Sequence, residues 1–129
     1  MSVMKLARYL KGTNTLGLFY PARQQGEQVK MDLVGFVDAA YADCLVSRKS
    51  TSGYLFCVNG SPVTWQSGRQ SVVTTSSTKA EYIAAFEGTK EAVWLRGLFD
   101  DMGFKPVHPT VLFEDNRLKT PSIIKGLSM

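Results

Sequence analysis

Histidine occurs once in this chain, at His108, and cysteine twice, at Cys44 and Cys57. So sparse a supply of imidazole and thiol makes neither a zinc site nor a disulfide framework, and reduced thiols are the expectation. No apolar run approaches the ~18 residues of a membrane span. The start, Met1-Ser2-Val3-Met4-Lys5, lacks the apolar region of a secretory signal. These absences point to a soluble intracellular protein with no membrane partner. Charge is not strongly of one sign either: 15 Lys and Arg face 11 Asp and Glu, a net charge of +4 and a pI near 9.2. That balance suits a polyanionic partner without requiring one. With 129 residues there is room for one domain with one core.

Residues 3–11 place Val3, Met4, Leu6, Ala7, Tyr9 and Leu10 among Lys5, Arg8 and Lys11, which reads as a short basic amphipathic helix stopped by Gly12. An extended piece, Leu16 to Tyr20, follows, and the polar stretch 22–30 reads as a loop. A β-meander comes next: strand one at 32–38, strand two from Gly53 to Val58, and strand three from Pro62 to Ser67. Asn59-Gly60 is the hairpin turn between the second and third. Residues 68–77 form a polar connection. A helix is expected over 78–102, its packed face reading Glu81, Ala85, Gly88, Ala92, Leu95, Phe99, Met102, with Gly103 as its stop. A last strand, 110–114, leads to Asp115, giving the order β-β-β-α-β.

Three carboxylates carry the chemical signal. Asp38 closes the run Leu33-Val34-Gly35-Phe36-Val37, Asp115 follows Val111-Leu112-Phe113-Glu114, and Glu81 lies near the start of the long helix. If the two runs are neighbouring parallel strands, both aspartates emerge at one carboxyl edge, where open α/β sheets place ligands. An all-carboxylate set favours a hard cation such as Mg²⁺ or Mn²⁺. Each has a plainer reading. Asp38 and Asp115-Asn116 suit turns, Asp43 is a loop rival to Asp38, and Thr78-Lys79-Ala80-Glu81 is a capping box with Thr78 as N-cap. Arg48, Lys49, Arg69 and Gln70 are candidates to contact phosphates, with solvated loop residues as the plainer alternative. Ser76 and Ser77 either contact a backbone or prepare the helix start. Trp65 and Trp94 are expected as packing residues, and Cys44 and Cys57 as a loop thiol and a small core residue.

Asp38-Ala39-Ala40-Tyr41-Ala42-Asp43 and Arg48-Lys49-Ser50-Thr51-Ser52-Gly53-Tyr54-Leu55-Phe56 resemble the ribonuclease H domain of copia-type retrotransposon Pol polyproteins. So do Thr64-Trp65-Gln66-Ser67, Ser76-Ser77-Thr78-Lys79-Ala80-Glu81-Tyr82-Ile83-Ala84, Lys90-Glu91-Ala92-Val93-Trp94-Leu95-Arg96 and Glu114-Asp115-Asn116. Arg8-Tyr9-Leu10-Lys11-Gly12-Thr13 resembles the segment joining the reverse transcriptase to that domain. The likeness runs in order from about residue 4 to 116. It implies an α/β, ribonuclease H-like mixed sheet: a three-strand antiparallel meander, a long helix, and a fourth strand parallel to the first. It implies a connection segment over 1–30 and the domain over 31–129, truncated after about residue 116. It implies hydrolysis of the RNA strand of RNA–DNA hybrids with two Mg²⁺ ions (Mn²⁺ as substitute), held by Asp38, Glu81 and Asp115. Arg48, Lys49, Arg69, Gln70, Ser77 and Asn116 are then the substrate-side residues, the reverse transcriptase is a partner in the same polyprotein, and the place is a cytoplasmic virus-like particle or the nucleus.

Some residues depart from that pattern. The family continues past Asp115-Asn116 with further helices, a last strand, a functional histidine and a fourth aspartate, whereas Arg117 to Met129 holds no Asp, Glu or His. Lys79 stands where an acidic residue is common, and Glu114 where a small or apolar one is usual. The alternative expectation is therefore an inactive retrotransposon remnant, or a domesticated module that binds nucleic acid or protein.

Overall fold

The structure, a computed structural model, describes residues 3–22, 26 and 30–114. The elements run α1 (Val3–Thr13), β1 (Leu33–Ala40), β2 (Thr51–Val58), β3 (Ser61–Arg69), α2 (Ser77–Asp101) and β4 (Val111–Glu114). The strands form one mixed sheet in the order β3-β2-β1-β4. β1 pairs antiparallel with β2 and parallel with β4, the crossover between them being α2. This is the α/β architecture expected, and it is consistent with a ribonuclease H-like fold.

Local chemistry explains most boundaries. Asn59 and Gly60 both take positive φ, 50° and 81°, the backbone that a tight two-residue hairpin requires. The Asn59 carboxamide oxygen also accepts the Asp32 N–H at 2.9 Å, tying the hairpin to the entry of β1. At the end of α2, Gly103 at φ 82° lets its N–H reach the Asp100 carbonyl, while Phe104 N–H reaches the Phe99 carbonyl at 2.7 Å. The helix N-cap is Ser76, whose hydroxyl accepts the Lys79 N–H at 3.2 Å. This corrects the expected capping box: the helix starts one position earlier than 78, Thr78 lies inside it, and Glu81 is beyond the capping position.

Burial in β1 alternates, with Leu33, Gly35 and Val37 inside. That face receives α2 through Ala80, Ala84, Gly88, Ala92, Leu95 and Phe99. The core joins Leu33, Val37, Phe56, Leu112, Ala92, Leu95 and Phe99. Removing each large side chain from water is worth ~1.5–3 kcal/mol, so this cluster is what holds helix to sheet. Two glycines set the layer spacing: a Cβ at Gly35 would collide with Leu112 and Phe56, and one at Gly88 with Val37.

The buried stripe differs from the expected one at both ends. Ala80 and Ala84, not Glu81 and Ala85, face the sheet, and Met102 is exposed. Both rows are rich in small residues, so periodicity alone does not separate them. Trp65 and Trp94 are each 59% exposed rather than packed. Trp65 sits across from Leu55 on the sheet face away from α2, and Trp94 lies off the helix stripe. The piece Leu16 to Tyr20 pairs with no strand of the sheet, and the Tyr20 hydroxyl donates to the Pro62 carbonyl at 2.8 Å.

Candidate metal and nucleic-acid site

The parallel register Val34↔Val111 to Val37↔Glu114 brings the ends of β1 and β4 to one edge. Asp38 is the next residue of β1, exposed, with Oδ1 accepting the Ala39 N–H at 2.8 Å. Glu114 is half-buried beside Val37. Burial raises its carboxyl pKa above the usual range, and the nearby Glu81 carboxylate raises it further. That effect places Glu81, on the second turn of α2, within electrostatic reach of the end of β4. Asp115 and Asn116 lie outside the described residues. The edge borders a hollow of about 520 Å³ lined by Phe36, Asp38, Leu55, Gln66, Phe113 and Glu114 among others.

Donor chemistry fits a hard divalent ion, since the ionisable groups at this edge are carboxylates. Among the described residues, no three His, Cys, Asp or Glu side chains come together closely enough to hold a metal. Of the three expected ligands, Asp38 and Glu81 fall among the described residues and each offers carboxylate oxygens.

A buried polar knot ties down Ala80, the residue before Glu81, and it was not legible in the sequence. Gln70 is only 1% exposed; its Nε2 donates to the Ser52 hydroxyl at 2.8 Å and to the Ala80 carbonyl at 2.9 Å. Gln70 N–H reaches the Ser50 carbonyl, Ser50 Oγ pairs with Thr74 Oγ1 at 3.0 Å, and Ala42 N–H donates to Ser50 Oγ. The loop after β1, the start of β2, the connection 70–76 and the first turn of α2 are thereby joined. This relocates Gln70 from the expected phosphate surface to the interior, where it fixes the residue before Glu81.

The basic candidates remain at the surface. Arg48 sits at φ 54° in a turn whose N–H bonds the Cys44 carbonyl at 2.8 Å. Lys49 Nζ donates to the Ser71 carbonyl at 2.8 Å, and Arg69 is exposed opposite Thr51. Because Asp38 pairs with Gly53 and Ala40 with Thr51, all three flank the carboxylate edge, two strand spacings of ~4.8 Å away for Arg69. Ser77 opens α2 and is exposed. Within the same turn the Cys44 thiol is held down from 9.0 to about 7, first by hydrogen bonding to the Ser47 side chain and then by backbone N–H groups at Ser47 and Val46.

Fold and edge together define an α/β chain with a carboxylate edge at the end of a parallel strand pair. Comparison with known proteins finds homologues among retrovirus-related Pol polyproteins. The homologues include the retrovirus-related Pol polyprotein from transposon TNT 1-94 of Nicotiana tabacum, 38% identical over 102 residues (79% of this chain, 7% of that protein). The corresponding polyprotein from transposon RE2 of Arabidopsis thaliana is 31% identical over 115 residues (89% of this chain, 8% of that protein). The secreted RxLR effector protein 161 of Plasmopara viticola is 45% identical over 94 residues, 73% of this chain and 63% of that protein. The chain thus spans less than two thirds of each of these relatives. No protein-family model matches it, and no solved structure matches it significantly. No described helix is long and apolar enough to cross a membrane.

Proposed function

We infer that this chain is a ribonuclease H-type unit of a retrotransposon Pol polyprotein, hydrolysing the RNA strand of an RNA–DNA hybrid beside a reverse transcriptase. The observation that supports this reading is the parallel β1–β4 pair, which brings the neighbourhood of Asp38 and Glu114 to one edge, with Glu81 of α2 near enough to raise the Glu114 carboxyl pKa. Asp38, Glu81 and Asp115 would hold two Mg²⁺ ions, for which Mn²⁺ can substitute. Such a pair of ions activates the attacking water and stabilises the leaving oxygen in an in-line displacement. The chain's own part is positional. The Ala39 N–H orients Asp38, Gln70 anchors the turn bearing Glu81, and Arg48, Lys49 and Arg69 offer cations for the hybrid's phosphates. Such phosphate contacts fix register without reading sequence. Ser77 and Asn116 complete the substrate side. The place of action is a cytoplasmic particle, with the nucleus as a second site.

A second reading, a non-catalytic binding module, is favoured by the 45% identity to a protein whose name describes a secreted effector rather than a polyprotein. One experiment separates them: cleavage of a hybrid labelled on its RNA strand, in Mg²⁺ and in Mn²⁺, beside Asp38→Asn and Asp115→Asn. RNA cleavage that both substitutions abolish establishes the nuclease. No cleavage in either ion by the folded chain refutes it and leaves the binding module.

A further inference from the structure

The loop that joins β1 to β2, residues 41–50, carries two apolar side chains at its tip. Leu45 is 88% exposed and Val46 95%, more than any other large hydrophobic among the described residues. The rest of the loop is braced. Arg48 N–H reaches the Cys44 carbonyl at 2.8 Å and Cys44 N–H the Lys49 carbonyl at 3.3 Å, closing the tip on itself. Below it, Ala42 N–H donates to the buried Ser50 hydroxyl at 3.0 Å, and the Thr51 hydroxyl donates to Asp43 at 2.8 Å. Ala42 and Arg48 both hold positive φ, 46° and 54°, a backbone that residues with a Cβ rarely adopt. In so firmly held a loop Leu45 and Val46 stand outward by construction, where turn tips ordinarily carry Gly, Asn, Asp or Ser.

On the hybrid-binding reading above, on which this inference rests, we propose that the tip is an apolar anchor for the RNA–DNA hybrid. Leu45 and Val46 enter its minor groove while Arg48 and Arg69 meet the bordering phosphates. The loop leaves β1 at Ala40, two residues past Asp38 of the candidate site. Leu45 follows Asp38 by seven residues and so stands no more than ~25 Å from it, within one ~34 Å turn of a duplex. Charge suits the same partner. Arg48 is exposed, as is Arg69 opposite Thr51, whereas the loop's one acidic side chain, Asp43, is engaged by Thr51. The hybrid's own shape selects the groove. In an A-like duplex the major groove is too deep and narrow for side chains, while the minor groove is wide and shallow and displays sugars and base edges. A short apolar tip between cations fits that profile, and leucine is among the side chains that proteins insert there. Because the loop is already ordered, little conformational freedom is lost on binding.

Binding of a fluorescent RNA–DNA hybrid to the full chain is followed by anisotropy from about 50 to 200 mM salt, with EDTA to prevent cleavage. Leu45→Ser/Val46→Ser should raise Kd at least about tenfold at every salt concentration and leave the salt slope unchanged, because it removes apolar contact and no charge. Arg48→Asn, which keeps a residue tolerant of the left-handed backbone, should reduce the slope by about one. All three positions are exposed, so circular dichroism should show both variants folded. A double variant that binds as the native chain does, or whose defect vanishes at high salt, overturns the proposal, as does a native chain that does not bind the hybrid. Phosphatidylserine vesicles are the competing probe: tip-dependent binding to them, with hybrid binding unmoved, overturns it in favour of a lipid surface. Cleavage in Mg²⁺ or Mn²⁺ judges the nuclease reading separately. A chain that cuts the hybrid but binds it equally well without the apolar tip keeps that reading and loses this one. A chain that binds through the tip and cuts nothing does the reverse.

Discussion

Gly88→Ala should destabilise this protein, although alanine is the better helix former. In an exposed helix interior the exchange gains ~1 kcal/mol. At position 88 the added methyl would collide with Cγ1 of Val37, a side chain only 3% exposed. Val37 is β-branched and stiff at χ1, so turning Cγ1 away from position 88 is itself costly. Forcing a methyl into a packed core costs ~1–3 kcal/mol, and this clash belongs in the upper half of that range. The net is a loss of about 1–2 kcal/mol. Gly97 is the internal control: it lies on the same helix with nothing within 4 Å of a built Cβ, so Gly97→Ala should stabilise by ~0.5–1 kcal/mol. Urea unfolding followed by helical circular dichroism gives both values, provided the slope with denaturant is unchanged. The two variants should differ by about 2 kcal/mol, roughly 6–10 °C in Tm for a chain of this size. Adding Val37→Ala to Gly88→Ala should show favourable coupling of ~1 kcal/mol, because the new methyl occupies the space the valine vacates. A Gly88→Ala protein as stable as the native one would refute the claim that α2 is pressed to contact on β1.

Three further expectations follow from single contacts. Ser76→Ala should cost ~1 kcal/mol in thermal or urea unfolding and Thr78→Ala much less, because Ser76 caps α2; equal losses would return the cap to the capping box. The Cys44 thiol, held at about 7, should be alkylated by iodoacetamide at a rate that climbs through pH 7 and levels off above ~8. Ser47→Ala should move that midpoint upward, read by peptide mass spectrometry, and an unmoved midpoint would exclude Ser47 as the cause. Glu114 has a carboxyl pKa raised above 4.5 in the folded chain, so the fold holds its proton more tightly than the unfolded chain does. Its contribution to stability is complete below pH 4.5 and is lost as pH rises through the folded value. With chelator present, Glu114→Gln should therefore flatten the fall in stability above pH 4.5, and an unchanged pH–stability curve would sink this account.

The parts of the fold legible in the sequence are those whose signal is local. Asn59-Gly60 allows one kind of turn, the alternation in β2 marks a strand, and Gly103 after a long small-residue stripe ends a helix; each appears within a residue or two of its expected place. What the sequence hid is decided between distant segments. Ser76, Ser77 and Thr78 are all competent caps, and the path of the connection from β3 selects the first. Alanines occupy both candidate rows of α2, and the row that wins is the one whose Ala80 carbonyl Gln70 holds and whose Gly88 fits beneath Val37. Gln70 looked like a surface residue because it stands between Arg69 and Ser71, yet its partners Ser52 and Ala80 are 18 and 10 residues away. Trp65 looked like core because it is large and apolar in a strand, but its face has no second layer among the described residues. The same distinction governs the site. The sequence names Asp38, Glu81 and Asp115 as candidates, but Ala80, the neighbour of Glu81, is held by a buried glutamine linked to two buried serines that carry no chemical signature of their own. Loss of Gln70 should therefore disturb the edge without touching a carboxylate, through the Ala80 carbonyl that it ties back to the sheet's Ser52.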